Sequence, residues 1–365
     1  MNKGGKFSTY EGILFVTITI VSKILYTSTP AVVKQAGTAA WYSTLISCAA
    51  AILQYWLMCK LIDRFQGKDL VEVTELVLGK FIGKIMGVLL SGYVVYYAAT
   101  NLREFLEMIK AFNLPSTPPS VIMITFISVC VLIAYKGLET IVRISYVNFF
   151  VIITALIIIL LLAIPYYDID YIKPYFGYGF TKTLSLGFLR SSAYEEVTLL
   201  LMINRSLHNS DYKKIGIVSL ILSGIIFSIS LLCYLMAYGY DMGRENFSGI
   251  FQLSRIIYYN RYIQRVESIF LFAWVISSLL TVSTAFYTSV RVYCQSFEIS
   301  DHKPILAPFA MIMYALTLQP KNVSELMDIN LLVVRQYSML LTFVFPILVL
   351  LIAVIFRKKG IDSNV

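Results

Sequence analysis

Four sets of polar side chains stand inside apolar runs, where charge is costly unless it is paired or faces a cavity. Lys23 sits about two-thirds of the way along the first such run, among Thr17, Thr19, Ser22, Thr27, Ser28 and Thr29. Hydroxyls can take over backbone hydrogen bonds where a helix opens, and a lysine there would hold a fixed positive charge beside the opened turn. The bland alternative is snorkelling, with the long stem carrying the ammonium to an interface. A second set is Gly187-Phe188-Leu189-Arg190-Ser191-Ser192-Ala193-Tyr194-Glu195-Glu196. On a regular helix Glu195 and Glu196 point about 100° apart, so both share one face only if the helix breaks there. A break at mid-bilayer would expose helix dipoles and free N–H groups that bind a small zwitterion. Arg190 would pair with either glutamate or with a bound carboxylate. The alternative is a break at an interface, with all three charges wet.

The third set is Tyr93, Tyr97, Asn101 and Glu104, whose spacings of four, four and three form one helical stripe. It suits the wall of a polar cavity, or an aromatic belt with core packing. Arg103 and Glu107 are spaced to pair. The fourth set is Trp274, Ser277, Ser278, Thr281, Ser283, Thr284 and Thr288. Such small hydroxylated residues permit close helix contact.

Familiar reaction motifs do not occur. The sequence has no GxxxxGK[ST] loop, no HExxH and no arginine ladder, so it offers neither an ATPase nor a hydrolase signature. Cys48, Cys59, Cys130, Cys233 and Cys294 form no CxxC pair and read as small core residues. The two histidines, His208 and His302, fall in polar connections. No cofactor motif is present.

The elements that carry these residues follow from composition. The 365 residues are 58% hydrophobic and 14% charged, against roughly 25% charged in a soluble domain. That fits an all-α polytopic membrane protein and excludes disorder. Ten apolar runs are expected as spans, at about 12–29, 38–61, 85–108, 119–135, 144–164, 183–203, 215–238, 269–293, 305–318 and 339–356. The ninth is short and contains Pro308. Ten spans put both termini on one side. Seventeen of the 30 Lys and Arg residues fall on that side and ten on the other, which places both termini in the cytoplasm. The net charge of +9 reflects this bias rather than a nucleic-acid partner. Connections 63–84, 249–266 and 319–335 mix apolar and charged residues as short amphipathic helices do.

The opening STYEGILFVTITIVSKILYTSTPAVVKQAGTAAWYSTLIS resembles the first two spans of the spore germination permease family, the B subunits of nutrient germinant receptors of endospore-forming bacteria. Pro30, Gly37 and Ala40-Trp41 are its most telling part. Ser191 through Asn204, followed by Asp211-Tyr212-Lys213-Lys214, also resembles that family, as do the length and the ten spans. The family in turn resembles amino acid/polyamine/organocation transporters.

That resemblance implies a single permease-like domain over 1–365, with five-plus-five inverted repeats at about 9–165 and 166–356 and interrupted helices one and six. Val21, Ser22 and Lys23 match the first break. Ser192, Ala193 and Tyr194 match the sixth, with Glu196 just beyond it, and Tyr97 and Asn101 would face the same cavity. One departure is that no glycine lies between Ile13 and Thr29. The transporters usually have glycines at this break, and a Ser-Lys pair stands here instead. The implied function is a non-enzymatic nutrient sensor that binds a small-molecule germinant, an amino acid or similar solute. It would signal to the A and C subunits in the inner membrane of the spore. A proton-coupled amino acid permease and a structural scaffold subunit are the alternatives.

Overall fold

The computed structural model describes residues 7–204, 211–259, 266–321, 325–326 and 335–360. The chain opens with α1 (Thr9–Val21), α2 (Ser28–Ala36), α3 (Ala40–Arg64), the short α4 (Leu70–Leu78) and α5 (Lys80–Phe112). Next come α6 (Pro119–Lys136), α7 (Leu138–Leu162), α8 (Phe180–Leu189), α9 (Glu196–Met202) and α10 (Tyr212–Gly243). The described chain closes with α11 (Gly249–Ile256), α12 (Glu267–Ser296), α13 (Lys303–Thr317) and α14 (Tyr337–Ile355). A π-helical turn at Leu340–Val344 lies within α14.

Local sequence explains the boundaries. The N–H of Ser8 donates to Glu11 Oε2 at 2.7 Å, and Ser8 Oγ accepts from Glu11 N at 3.2 Å, a capping box that starts α1. Pro119 opens α6 at a position where its missing N–H costs nothing. Gly137, at φ 93°, turns the chain directly from α6 into α7.

Among the described residues, seven helical segments are long and apolar enough to cross a membrane, one of them Ser28–Arg64, in which a 3₁₀ turn at Gly37–Ala39 links α2 to α3. The chain is a multi-pass membrane protein. The sequence expectation was ten spans with the first and sixth interrupted and the ninth short, and the seven helices account for the second, third, fourth, fifth, seventh, eighth and tenth. The expected first and sixth spans are each divided into two short helices, and the ninth is the 15-residue α13. The first division has a local cause, because hydroxyls compete there for the helix's own carbonyls.

Connections gather at two ends. At one end, the base, Arg64 Nε donates to Lys358 O at 2.6 Å, Lys213 pairs with Asp63 at 2.7 Å, and Lys80 with Glu298 at 3.0 Å. At the other, the crown, Asp168 N donates to Met236 O at 2.8 Å, and Tyr166 donates to Tyr258 O at 3.1 Å. The expected amphipathic helix after α3 is α4, which buries Leu70, Val71, Val73 and Val77. The expected 249–266 helix is realised as α11 but does not lie on the surface. Ile250 and Leu253 are fully buried, and Phe251 packs between Phe112 and Phe270. The expected 319–335 helix lies largely outside the described residues.

Candidate solute-binding site

The first division begins where α1 ends. Ser22–Leu25 form a 3₁₀ turn, and Tyr26 then takes φ −96°, ψ −147°. That angle needs no glycine, which accounts for a break built without one. Hydroxyls satisfy the freed carbonyls as the sequence predicted. Ser22 Oγ donates to Thr19 O at 2.9 Å, Thr29 Oγ1 to Ile24 O at 3.2 Å, and Ser248 Oγ to Leu25 O at 3.4 Å. Thr281 Oγ1 on α12 donates to Ser22 Oγ at 2.8 Å. Glu104 of α5 accepts from both the N–H, at 3.1 Å, and the hydroxyl of Thr27. Its carboxylate thus stands at the N-terminus of α2, where the helix dipole favours negative charge.

The sixth-span division is a 3₁₀ turn over Arg190–Tyr194 that leads into α9. It brings the two glutamates toward one ammonium. Lys23 Nζ lies 2.8 Å from Glu196, 4.0 Å from Glu195 and 3.0 Å from the Ala193 carbonyl, which accepts from it. Lys23 is 2% exposed, so snorkelling is excluded. Two tyrosines of the α5 stripe complete the cluster: Tyr93 donates to Glu195 and Tyr97 to Glu196. The Lys23 ammonium also lies 5.7 Å from the Tyr97 ring centroid. Tyr194 OH donates to Thr44 O at 3.0 Å, which ties the turn to α3.

Two cavities flank this cluster. The crown-side cavity, about 50 Å³, is bounded by Lys23, Gln35, Arg190 and Ser192, with Leu186 and Phe227 on its apolar wall. It offers two cationic groups, several hydroxyls and an amide, a set suited to a small solute carrying a carboxylate. The base-side cavity is about 10 Å³ and is lined by Tyr93, Tyr97, Glu195, Glu196, Thr198 and Thr342, among others. Among the described residues no group of three His, Cys, Asp or Glu side chains is placed to hold a metal ion.

The residues expected at the site separate into three groups. Lys23, Tyr97, Ala193 and Glu196 are in direct contact, and Lys23, Ser192, Ala193 and Tyr194 line the crown cavity. Ser22 serves the break itself through Thr19 and Thr281. Val21 and Asn101 line neither of these cavities. Asn101 Nδ2 donates at 2.8 Å to the Tyr97 carbonyl within its own helix. Arg190 meets Gln35 Oε1 of α2 at 2.5 Å, an amide partner that the sequence did not suggest. Glu195, Tyr93 and Glu104 were visible as polar residues in apolar runs, but their partners lie across the fold. The Arg103–Glu107 pair forms as expected, at 2.6 Å. Of the α12 hydroxyls, Ser278 and Thr284 return to carbonyls of their own helix, as close packing requires.

The model of the spore germination protein family matches residues 6–326. The chain belongs to that family. It is 24% identical over 338 residues to spore germination protein KB of Bacillus subtilis (strain 168), covering 91% of each chain. It is also 24% identical over 367 residues to spore germination protein A2 of the same organism, covering 96% of this chain and 94% of that one. Two solved structures share the fold at 13% identity. A Na⁺-coupled sialic acid symporter, substrate-bound and outward-open, gives a TM-score of 0.60 over 93% of this chain and 80% of its own. MhsT in complex with L-phenylalanine gives 0.59 over 97% and 92%. The fold of this family member therefore resembles that of these two proteins, with its first and sixth helical runs discontinuous.

Proposed function

We propose that the chain is a nutrient-sensing subunit of a germinant receptor. It binds a small polar solute, an amino acid, in the crown cavity. The observation that carries this reading is the meeting of two interrupted helices at the Lys23–Ala193–Glu196 contact, directly beside that cavity. Opened helix turns supply oriented dipoles and backbone groups where a solute can be held. Full-length similarity to germination proteins supports the biological setting. On this reading the first, sixth and ninth segments complete ten spans in five-plus-five inverted repeats, with both termini cytoplasmic. The membrane is the inner membrane of the spore, and the partners are the A and C subunits. Solute binding in the crown cavity bears on the two divided helices, which Lys23 joins, so it shifts them together and the bundle passes that shift to the partner subunits.

The presence of cavities on both sides of the Lys23 cluster favours a second reading, an amino acid permease with alternating access. Proteoliposomes separate the two. The sensor gives saturable binding of an L-amino acid without sustained uptake, whereas the permease gives continuing saturable flux. Spores carrying Lys23→Met or Ser192→Leu should lose their response to the matching amino acid. A normal response in both variants would reject the crown cavity as the sensing site.

A further inference from the structure

At the base, two outward-facing apolar stripes end in cations. On α3 the stripe is Leu53, Trp56, Lys60 and Arg64, at spacings of three, four and four. Leu53 is 55% exposed and Trp56 45%, on a membrane-crossing segment. Lys60 follows one turn after Trp56, and its ammonium lies 3.5 Å from the Trp56 ring centroid. On α14 the exposed side chains of Leu348, Leu351 and Ile355 lead through Phe356 to Arg357, Lys358 and Lys359.

The backbone that brings these two ends together is fixed. α14 closes in a Schellman motif, in which Arg357 N donates to Val354 O at 3.1 Å and Lys358 N to Ala353 O at 2.9 Å. The chain then turns across the end of α3. Arg64 Nε donates to Lys358 O at 2.6 Å, and Gly360 N donates to Arg64 O at 3.0 Å. Lys358 Nζ is spent on the last carbonyls of α4, at 2.8 Å from Val77 O and 3.4 Å from Leu76 O. Asp63, the carboxylate that precedes Arg64, is taken by Lys213 and by the Tyr212 hydroxyl. Among the described residues no carboxylate pairs with Lys60, Arg357 or Lys359.

Arg357 is the informative residue. It stands at φ 53°, in the left-handed position that a Schellman motif usually gives to glycine. A side chain there is held at a local cost, so this position carries a cation against the preference of the helix end. With its Nε on the Lys358 carbonyl, Arg64 keeps the N–H groups of its two terminal nitrogens for a second acceptor.

We propose that this edge of the base binds the headgroup of an anionic phospholipid. Lys60, Arg64, Arg357 and Lys359 supply the positive charge, and an acyl chain lies along Leu53 and Trp56. Cations placed directly at the end of a lipid-facing stripe meet phosphate at headgroup depth. Arginine suits phosphate because its planar fork donates two parallel hydrogen bonds. An acidic protein segment would satisfy the cations but make no use of the apolar stripe that leads to them.

Trp56 reports on the site. Trp274 is 1% exposed, and Trp41 stands at the opposite end of α3. The full chain carrying Trp41→Phe is reconstituted in phosphatidylcholine vesicles with a rising fraction of acyl-brominated phosphatidylglycerol or acyl-brominated phosphatidylcholine. The expected result is quenching of Trp56 at a lower fraction of phosphatidylglycerol, a preference of about fivefold or more, which is the worth of one cation near a charged headgroup. Lys60→Gln/Arg357→Gly should bring the preference close to one. Arg357→Gly alone should lower the preference while the melting temperature holds or rises, since glycine suits that position. If the double variant does not fold, Lys359→Gln decides the question by the same loss of preference. Equal quenching of the parent chain by the two lipids would overturn the proposal and leave the cations to a protein surface. A phosphatidylglycerol preference that persists in the folded variants would overturn it as well.

Discussion

Replacing Lys23 with methionine removes the single ammonium that joins the two divided helices. Methionine keeps the length of the stem and its packing, so the change isolates the charge. Lys23 Nζ lies 2.8 Å from Glu196, 3.0 Å from the Ala193 carbonyl and 4.0 Å from Glu195. Breaking a buried ion pair by deleting one partner costs about 3–5 kcal/mol. The Ala193 carbonyl loses its donor as well, which on its own costs about 1–3 kcal/mol. The two losses share one ammonium and are not additive, so a destabilisation of at least about 3 kcal/mol is expected. Denaturant unfolding in mixed micelles measures it. The double variant Lys23→Met/Glu196→Gln should recover a large part of the loss, giving a coupling energy of about 2 kcal/mol or more in a double-mutant cycle. A loss below about 1 kcal/mol, the scale of an exposed pair, would refute the reasoning. So would strict additivity of the two single substitutions.

Other outcomes follow from the same geometry. Tyr97→Phe deletes the hydroxyl that donates to Glu196 and should cost about 1.5–3 kcal/mol, read in the same unfolding assay. Gly216→Ala places a Cβ 2.2 Å from the Tyr55 ring at the α3–α10 contact; a destabilisation of roughly 1–3 kcal/mol is expected, with weakened docking of α10 seen as faster amide exchange. His302, in the connection before α13, is held below its usual 6.5 by burial and then by nearby Arg291. The folded state therefore favours the neutral ring, so its stability contribution is full above about pH 6.5 and declines as the pH falls through and below that value. A melting-temperature series from pH 8 to pH 5 should show this decline, and His302→Gln should flatten it.

Much of the site was legible in the sequence because the cost of polarity in an apolar run marks position. Lys23 among its hydroxyls named the first break, and Ser22 and Thr29 perform the expected carbonyl repair. The sixth break was legible from three charges within seven residues. The contact between the two breaks was not. On a regular helix the directions of Glu195 and Glu196 diverge, and only the 3₁₀ turn over Arg190–Tyr194 places both within reach of Lys23. Arg190 shows the same effect, since the tighter turn brings it to Gln35 rather than to its glutamate neighbours. Glu104 stood on the α5 stripe, but its partner Thr27 is 77 residues away. Asn101 shared that stripe and turned inward to its own helix, a choice that spacing does not reveal. Hydropathy gave the apolar length of ten expected spans, seven of which are long crossing helices among the described residues; that the first and sixth are interrupted came from their polar residues and the family resemblance, because apolar length does not register where a helix breaks.

The central claim is that the two breaks enclose a solute beside Lys23. Equilibrium binding of radiolabelled L-amino acids to the purified chain in nanodiscs tests it most directly, with Ser192→Leu as the cavity-filling control. The account expects at least one amino acid to bind saturably at about one per chain, and Ser192→Leu to abolish that binding while leaving the melting temperature near wild type. Absence of binding across the whole panel, or equal binding to wild type and a folded Ser192→Leu variant, would contradict it.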